Sequence, residues 1–253
     1  MKIGIFQYAP VWEDKLQNQQ QIEQLLNNNP LKCDLLIFPE MTLTGFTMNS
    51  GSATENLNGD SVIFFSKLAQ KYRTAIIAGM VSGEKRKFYN CALYIDSGGV
   101  LFDVYRKIHP FSYSNENVHY SAGEKLSIVH NFGCNIGLSI CYDLRFPELF
   151  RLYAKERVEL MVNIANWPST RIAHWQTLCR ARAIENQCYF IGVNRTGTDP
   201  NEEYNGNSII VSPRGEVLLE TSNEQGIFTR DIDLNEVLKT RKQFPFLKDM
   251  KFI

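Results

Sequence analysis

Short apolar runs alternate along this chain with longer segments in which apolar residues recur every third or fourth position. Residues 2–8 and the continuous run Leu35-Leu-Ile-Phe38 predict strands, the second buried on both faces. Between them, residues 14–27 space Leu16, Ile22, Leu25 and Leu26 as a helix does. A second helix is predicted from a cap at Asp60 or Ser61 to Arg73, with Phe64, Phe65, Leu68 and Tyr72 as its apolar stripe. Residues 74–81, 88–95 and 100–106 then read as strands, and Asp96-Ser-Gly-Gly99 marks a hairpin between the last two. Further strands are expected at 126–130, 135–140, 160–164, 189–194, 208–211, 217–220 and 227–231, with helices from Pro147 and over 172–186.

Helices alternating with strands, with hairpins interspersed, predict an α/β fold: sheets covered by helices, some pairing antiparallel. No linker-like stretch or internal repeat divides the chain, so residues 1–253 are expected to form a single domain. Residues 244–253 are too apolar for a free tail and are expected to pack on something, a partner subunit included.

Composition narrows the function by exclusion. Basic and acidic residues balance at 27 each, so no global field points to nucleic acid or a membrane surface. The one dense basic run, Lys85-Arg86-Lys87, falls between two predicted strands and reads as a solvated hairpin turn. No apolar stretch approaches the length of a membrane span, and the start turns polar too soon for a signal peptide. Six cysteines are scattered without CxxC pairs, which suggests neither a zinc site nor a dithiol motif. Their placement fits reduced thiols and a cytoplasmic location.

The chemistry concentrates at Ser139-Ile-Cys141-Tyr-Asp-Leu-Arg145-Phe-Pro-Glu148. Ile136, Leu138 and Ile140 alternate as a strand and Pro147 opens a helix, so Cys141 falls at a strand-to-helix turn. Unpaired N–H groups at such a turn favour a thiolate and offer donors to a developing oxyanion. The competing reading is a buried structural cysteine. Phe38-Pro-Glu40 sets a carboxylate just past a buried strand, where open α/β sheets place ligands, and Tyr105-Arg-Lys107 sets an ammonium at another strand end. Either charge alone is only a residue leaving the core. None of the four histidines lies in a context typical of a Cys/His dyad.

The combination Phe-Pro-Glu40, Tyr-Arg-Lys107 and Cys141-Tyr-Asp-Leu-Arg-Phe-Pro-Glu resembles the nitrilase superfamily of carbon–nitrogen hydrolases, in order, spacing and local sequence. Ala165-Asn-Trp167-Pro and the segment from His174 to Asn186 extend the resemblance along nearly the whole chain. The resemblance implies a four-layer αββα sandwich of two mixed sheets covered by helices. It also implies an amidase with Glu40 as general base, Lys107 as stabiliser of the tetrahedral intermediate and Cys141 as nucleophile. Glu116 matches a second glutamate supporting the lysine, with Glu124 as the fallback. The backbone N–H of Tyr142 joins Lys107 as oxyanion donor, no metal or other cofactor is required, and the substrate is a small-molecule amide. Trp167 is expected to line the pocket, and Arg145, Arg171 and Arg195 are the cations near its rim.

Within the superfamily the omega-amidase branch is most similar, which implies 2-oxoglutaramate or 2-oxosuccinamate as substrate. A deaminated-glutathione amidase is the alternative, and a non-catalytic scaffold of the same fold the remote one. The resemblance further implies a homodimer through the helix after the nucleophile, where Leu149, Phe150, Leu152 and Tyr153 exceed what one helix face needs.

Overall fold

Strands that are apolar at every position need cover on both faces, and the computed structural model supplies it by stacking two sheets between helices. It describes residues 1–29 and 32–251. The first half of the chain contains β1 (Lys2–Gln7), α1 (Lys15–Asn28), β2 (Leu35–Ile37), α2 (Ser50–Ala53), α3 (Asp60–Tyr72), β3 (Ala75–Glu84), β4 (Lys87–Ile95), β5 (Leu101–Arg106) and α4 (Glu116–His119). The second contains β6 (Ile128–Asn131), β7 (Cys134–Ile140), α5 (Pro147–Lys155), β8 (Leu160–Ile164), α6 (Ile172–Asn186), β9 (Tyr189–Val193), β10 (Thr196–Thr198), β11 (Glu203–Asn205), β12 (Ile209–Val211), β13 (Val217–Glu220), β14 (Gly226–Asp231) and α7 (Asn235–Gln243).

Among the described residues, two six-stranded mixed sheets run β14-β1-β2-β3-β4-β5 and β13-β12-β9-β8-β7-β6. Each has three parallel strands at its centre (β1, β2, β3 and β7, β8, β9) and antiparallel strands outside them. Ile3, Ile5 and Ile37 of one sheet meet Leu138, Val162 and Ile191 of the other in the central core. The alternate side chains face outward. Phe6, Leu36 and Ile76 pack under α1 and α3, and Met161 and Phe190 pack under α5 and α6. This is the expected αββα sandwich.

Several local expectations hold in register and differ at their ends. The basic turn is the pair Lys85-Arg86, with φ of 47° and 69°, closing Glu84 against Lys87. Positive φ at both central residues suits the tight hairpin between twisted strands. Neither Asp60 nor Ser61 caps α3; its N-cap is Gly59, and the Glu55 carboxylate instead accepts from the Ser61 N–H and hydroxyl. The β10–β11 ribbon and α7 were not predicted. In α7 only Val237 and Thr240 are buried, which is too thin an apolar stripe to read from spacing.

The apolar surplus assigned to α5 is also smaller than expected. Leu149, Phe150 and Tyr153 are buried in the chain's own core, leaving Leu152 at 40% exposure. Near the C-terminus, Leu247 and Met250 pack against the α5–α6 core, while Phe244 and Phe246 stack on each other at the surface. The expectation for 244–253 extends to residues 252 and 253, which lie outside the described residues.

One glycine fixes how the loop after β2 sits on β3. A Cβ at Gly79 would lie 2.3 Å from the Met41 nitrogen and 2.7 Å from Glu40 Cα. The bare backbone instead pairs with that loop: Gly79 N–H donates to the Thr42 hydroxyl at 3.0 Å, and Thr42 N–H donates to the Gly79 carbonyl. Gly79→Ala is therefore expected to destabilise the fold by about 1–3 kcal/mol, the usual range for overpacking, and to displace Glu40. Thermal unfolding together with amide turnover checks this; an unshifted midpoint with full activity contradicts it.

Candidate active site

Open sheets leave their strand ends unpaired, and four loops from both sheets converge there. Glu40 follows β2, Lys107 follows β5, Cys141 follows β7 and Asn166 follows β8. Glu116 opens the single turn α4. Glu40, Lys107 and Glu116 are at most 1% exposed. Lys107 Nζ donates to Glu40 Oε1 at 2.9 Å and to Glu116 Oε2 at 2.8 Å and Oε1 at 3.1 Å. The Phe111 N–H also donates to Glu116 Oε2, at 2.5 Å. Glu116 therefore sits in direct contact with the lysine, whereas Glu124 is exposed.

Burial works against the Lys107 ammonium, but Glu116 and Glu40 outweigh it and hold its pKa above that of an ordinary lysine. Burial and the neighbouring Glu40 push the Glu116 carboxyl up, against the pull of Lys107.

Cys141 opens a 3₁₀ turn over Cys141–Arg145 with φ of 45°. A left-handed conformation at a side-chain-bearing residue stores strain of about 1–3 kcal/mol and needs surroundings that fix it. Asp143, fully buried, supplies them. Its Oδ2 accepts from the Ile140 N–H at 2.9 Å and the Tyr105 hydroxyl at 2.8 Å. Its Oδ1 accepts from the His109 N–H at 2.9 Å and faces His109 Nδ1 at 2.8 Å. One carboxylate thereby ties the nucleophile turn to the loop carrying Lys107. The thiol lies 3.8 Å from the Asn166 carbonyl, which accepts from Sγ.

The turn is not the only influence on the thiol. Burial first, then the charges of Glu40 and Glu116, push the Cys141 thiol well above its ordinary pKa, and Lys107 only partly offsets them. The short 3₁₀ turn is too weak a dipole to reverse burial.

Cys141 stands on the wall of a cavity of about 520 Å³. Tyr142, Arg145, Asn166, Trp167 and Arg171 also line it, together with the aromatic rings of Trp12, Phe46 and Phe111. Arg145 stacks on Trp167 with its guanidinium carbon 4.8 Å from the ring centre, and its Nη2 faces His174 Nδ1 at 3.3 Å. Arg171 is paired with Glu202 at 3.2 Å. Arg195, expected at the rim, is instead buried, donating to the Thr196 and Thr198 carbonyls. Among the described residues no cluster of three or more His, Cys, Asp or Glu side chains is arranged to hold a metal ion.

Two asparagines belong to the cluster and were not singled out from the sequence. Asn90 Nδ2 donates to Glu40 Oε1 at 2.7 Å and to Glu116 Oε1 at 2.9 Å. The Asn166 N–H donates to Glu40 Oε2 at 2.8 Å. A lone amide inside the otherwise apolar β4 is a signal that points to Asn90, because a buried polar group needs partners.

A half-buried cysteine on a strained turn, backed by a buried carboxylate–ammonium cluster at the strand ends of an αββα sandwich, is a hydrolase-like arrangement. The profile of the carbon–nitrogen hydrolase family matches residues 2–242, and the chain belongs to that family. It is 36% identical to a "Hydrolase in agr operon" of Staphylococcus aureus, over 99% of this chain and 98% of that one. It is 33% identical to a 2-oxoglutaramate amidase of Bacillus subtilis, over 98% and 97%. Among solved structures, a CN-hydrolase superfamily protein of Xanthomonas campestris with an arsenic adduct in its active site superposes with a TM-score of 0.93. That protein is 30% identical, with 100% of this chain and 98% of that chain covered.

The other five cysteines are buried. Iodoacetamide is therefore expected to modify Cys141 first, faster as pH rises toward its elevated pKa. Mass mapping after limited alkylation tests this, and equal labelling of the six thiols contradicts it.

Proposed function

We propose that this protein is an amidase acting through a cysteine thioester, with Glu40 as base, Lys107 as charge stabiliser and Cys141 as nucleophile. The observation that carries the reading is Lys107 held between Glu40 and Glu116 within electrostatic reach of the Cys141 thiol. Because the resting thiol keeps its proton, attack requires a base at hand, and Glu40 takes that proton as Sγ bonds to the amide carbon. The oxygen of the tetrahedral intermediate is met by Lys107 Nζ and by the Tyr142 N–H, which has no partner within its 3₁₀ turn. Protonated Glu40 then donates to the leaving nitrogen and ammonia departs. Water, deprotonated by Glu40, hydrolyses the thioester and frees the acid. Glu116 keeps Lys107 charged and in place.

For substrate we propose a short ω-amide with an α-keto acid end, such as 2-oxoglutaramate. Arg145 supports this: it lines the cavity beside Cys141, and no carboxylate pairs with it among the described residues. A guanidinium so placed can grip a carboxylate through two parallel hydrogen bonds. The relative named 2-oxoglutaramate amidase points the same way. The cavity of about 520 Å³ also has room for something longer, which keeps deaminated glutathione as a second reading. Residues 1–253 are proposed to work as one domain in the cytoplasm, where the six free thiols stay reduced. The chain is proposed to pair as a homodimer through α5 and α6, whose exposed apolar residues include Leu152 and Ile184. A single species near 29.1 kDa in sedimentation contradicts the dimer.

Cys141→Ala is expected to abolish ammonia release, and Glu40→Gln to lower kcat by about 10²-fold or more. Near wild-type turnover by either variant overturns the mechanism. Comparing kcat/KM for 2-oxoglutaramate with that for deaminated glutathione decides the substrate. Arg145→Ala should lower the first value by about 10–100-fold, the weight of hydrogen bonds to a charged group, and spare an uncharged aliphatic amide. A marked preference for deaminated glutathione removes the ω-amide reading and leaves the thioester mechanism in place.

A further inference from the structure

Asn90 sits 1% exposed in the middle of β4, where a polar residue has no reason to be unless its amide is used. Its Nδ2 reaches Oε1 of both Glu40 and Glu116. Both targets only accept, so the amide has one possible orientation, with nitrogen toward the carboxylates. Its Oδ1 then points away and has no hydrogen-bond partner among the described residues. Leaving a buried acceptor unpaired is unfavourable, and the two charge-assisted bonds on the other side offset it.

We propose that Asn90 is a positioning residue that gives both carboxylates a donor around a single ammonium and fixes Glu40 with its other oxygen on Asn166, the residue whose carbonyl also holds the Cys141 thiol. Glu40 Oε1 is occupied by Asn90 and Lys107 together. Oε2 accepts from the backbone N–H and the side-chain amide of Asn166, and the carbonyl of the same residue accepts from the Cys141 thiol. The carboxylate therefore cannot swing without breaking two bonds on Oε1, and its other oxygen stays on Asn166, which the Cys141 thiol also contacts. The amide also does something a second lysine would not. It gives each carboxylate a donor without adding charge, so two buried acids share one ammonium. The charged or titratable groups facing Glu40 and Glu116 are Lys107, the Cys141 thiol and Tyr120, whose hydroxyl is held by the Thr47 carbonyl. Among these, Lys107 is the one cation.

This inference rests on the reading of Glu40 as base, and the test separates the two. Asn90→Leu keeps the shape and removes both donors. A carboxylate stripped of a donor holds its proton to higher pH, so the acid limb of the kcat/KM profile is expected to move up by about one pH unit. With aim lost as well, kcat at neutral pH should fall about tenfold or more while KM changes little, the pattern of an interaction that matters only in the transition state. Asn90→Ser, with one hydroxyl donor, should fall between. Asn90→Asp, which adds a third buried acid, should displace the limb further, and these two variants decide if the leucine variant does not fold. An acid limb at the wild-type position in any folded variant, with activity scaled down uniformly, overturns the proposal. Glu40→Gln is measured in parallel. If it stays active, the reading of Glu40 has failed; if it is inactive and the Asn90 variants leave the limb unmoved, only the role of Asn90 has.

Discussion

An ammonium group that has left water must find its compensation within the protein, and Lys107 finds it in two carboxylates within 3 Å. Desolvating three charges is costly, and their mutual attraction repays that only when the geometry is tight and the remaining lone pairs are filled. Here they are filled by the Phe111 N–H, the Asn90 amide and the Asn166 N–H. Removing one member would strand a buried charge, typically a loss of about 3–5 kcal/mol. The loops after β2, β5 and β8 and the turn α4 are thus bound to one another through their polar atoms as firmly as the sheets are through their apolar ones. The cluster holds together the strand-end face of the sandwich, on which the cavity beside Cys141 opens.

The turn of Cys141 is tied to the loop of Lys107 by a different route. Asp143 spends all four of its acceptor sites on Ile140, Tyr105 and His109, and so fixes the distance between the turn of Cys141 and the loop of Lys107. Left-handed backbone recurs at these places: Cys141 itself, Met41 after Glu40 and Asn115 before Glu116 all have positive φ. Three chain reversals in three loops aim three side chains into one small space. None is a glycine, so the conformation is held by hydrogen bonds and packing rather than by freedom of the backbone.

What could be read from the sequence follows the range of the forces involved. Strand periodicity, the Asp96–Gly99 hairpin and the helix 172–186 depend on near neighbours, and they were legible to within a few residues. Glu40, Lys107 and Cys141 were legible because each follows a predicted strand, and because their local sequences resemble one family as a set. Asn90 was hidden because its partners lie 50 and 26 positions away, and nothing beside it in β4 announces them. The upward push on the Cys141 thiol escapes the sequence for a related reason. A turn with free N–H groups is a local feature, whereas the burial and the two carboxylates that outweigh it are assembled only by the tertiary fold. Arg195 shows the converse error, since closeness in sequence to the rim did not place it there. The α7 helix escaped because it is held by a few anchors, Arg241 on the Val158 and Gln187 carbonyls among them, and not by an apolar stripe.

The pairing of β1 with β14 joins Lys2 to Asp231, across almost all of the intervening sheet strands and helices. Protein synthesis proceeds from the N-terminus, so β1 emerges long before β14 and its outer edge waits for that neighbour while β2 to β13 are made. An unpaired apolar strand edge is a template for association with other chains. Contacts of such long sequence separation also form late, because the intervening loop entropy must be overcome first. A nascent chain therefore carries one open edge for as long as β2 to β13 take to make, and closing that edge is the last step in making the first sheet whole.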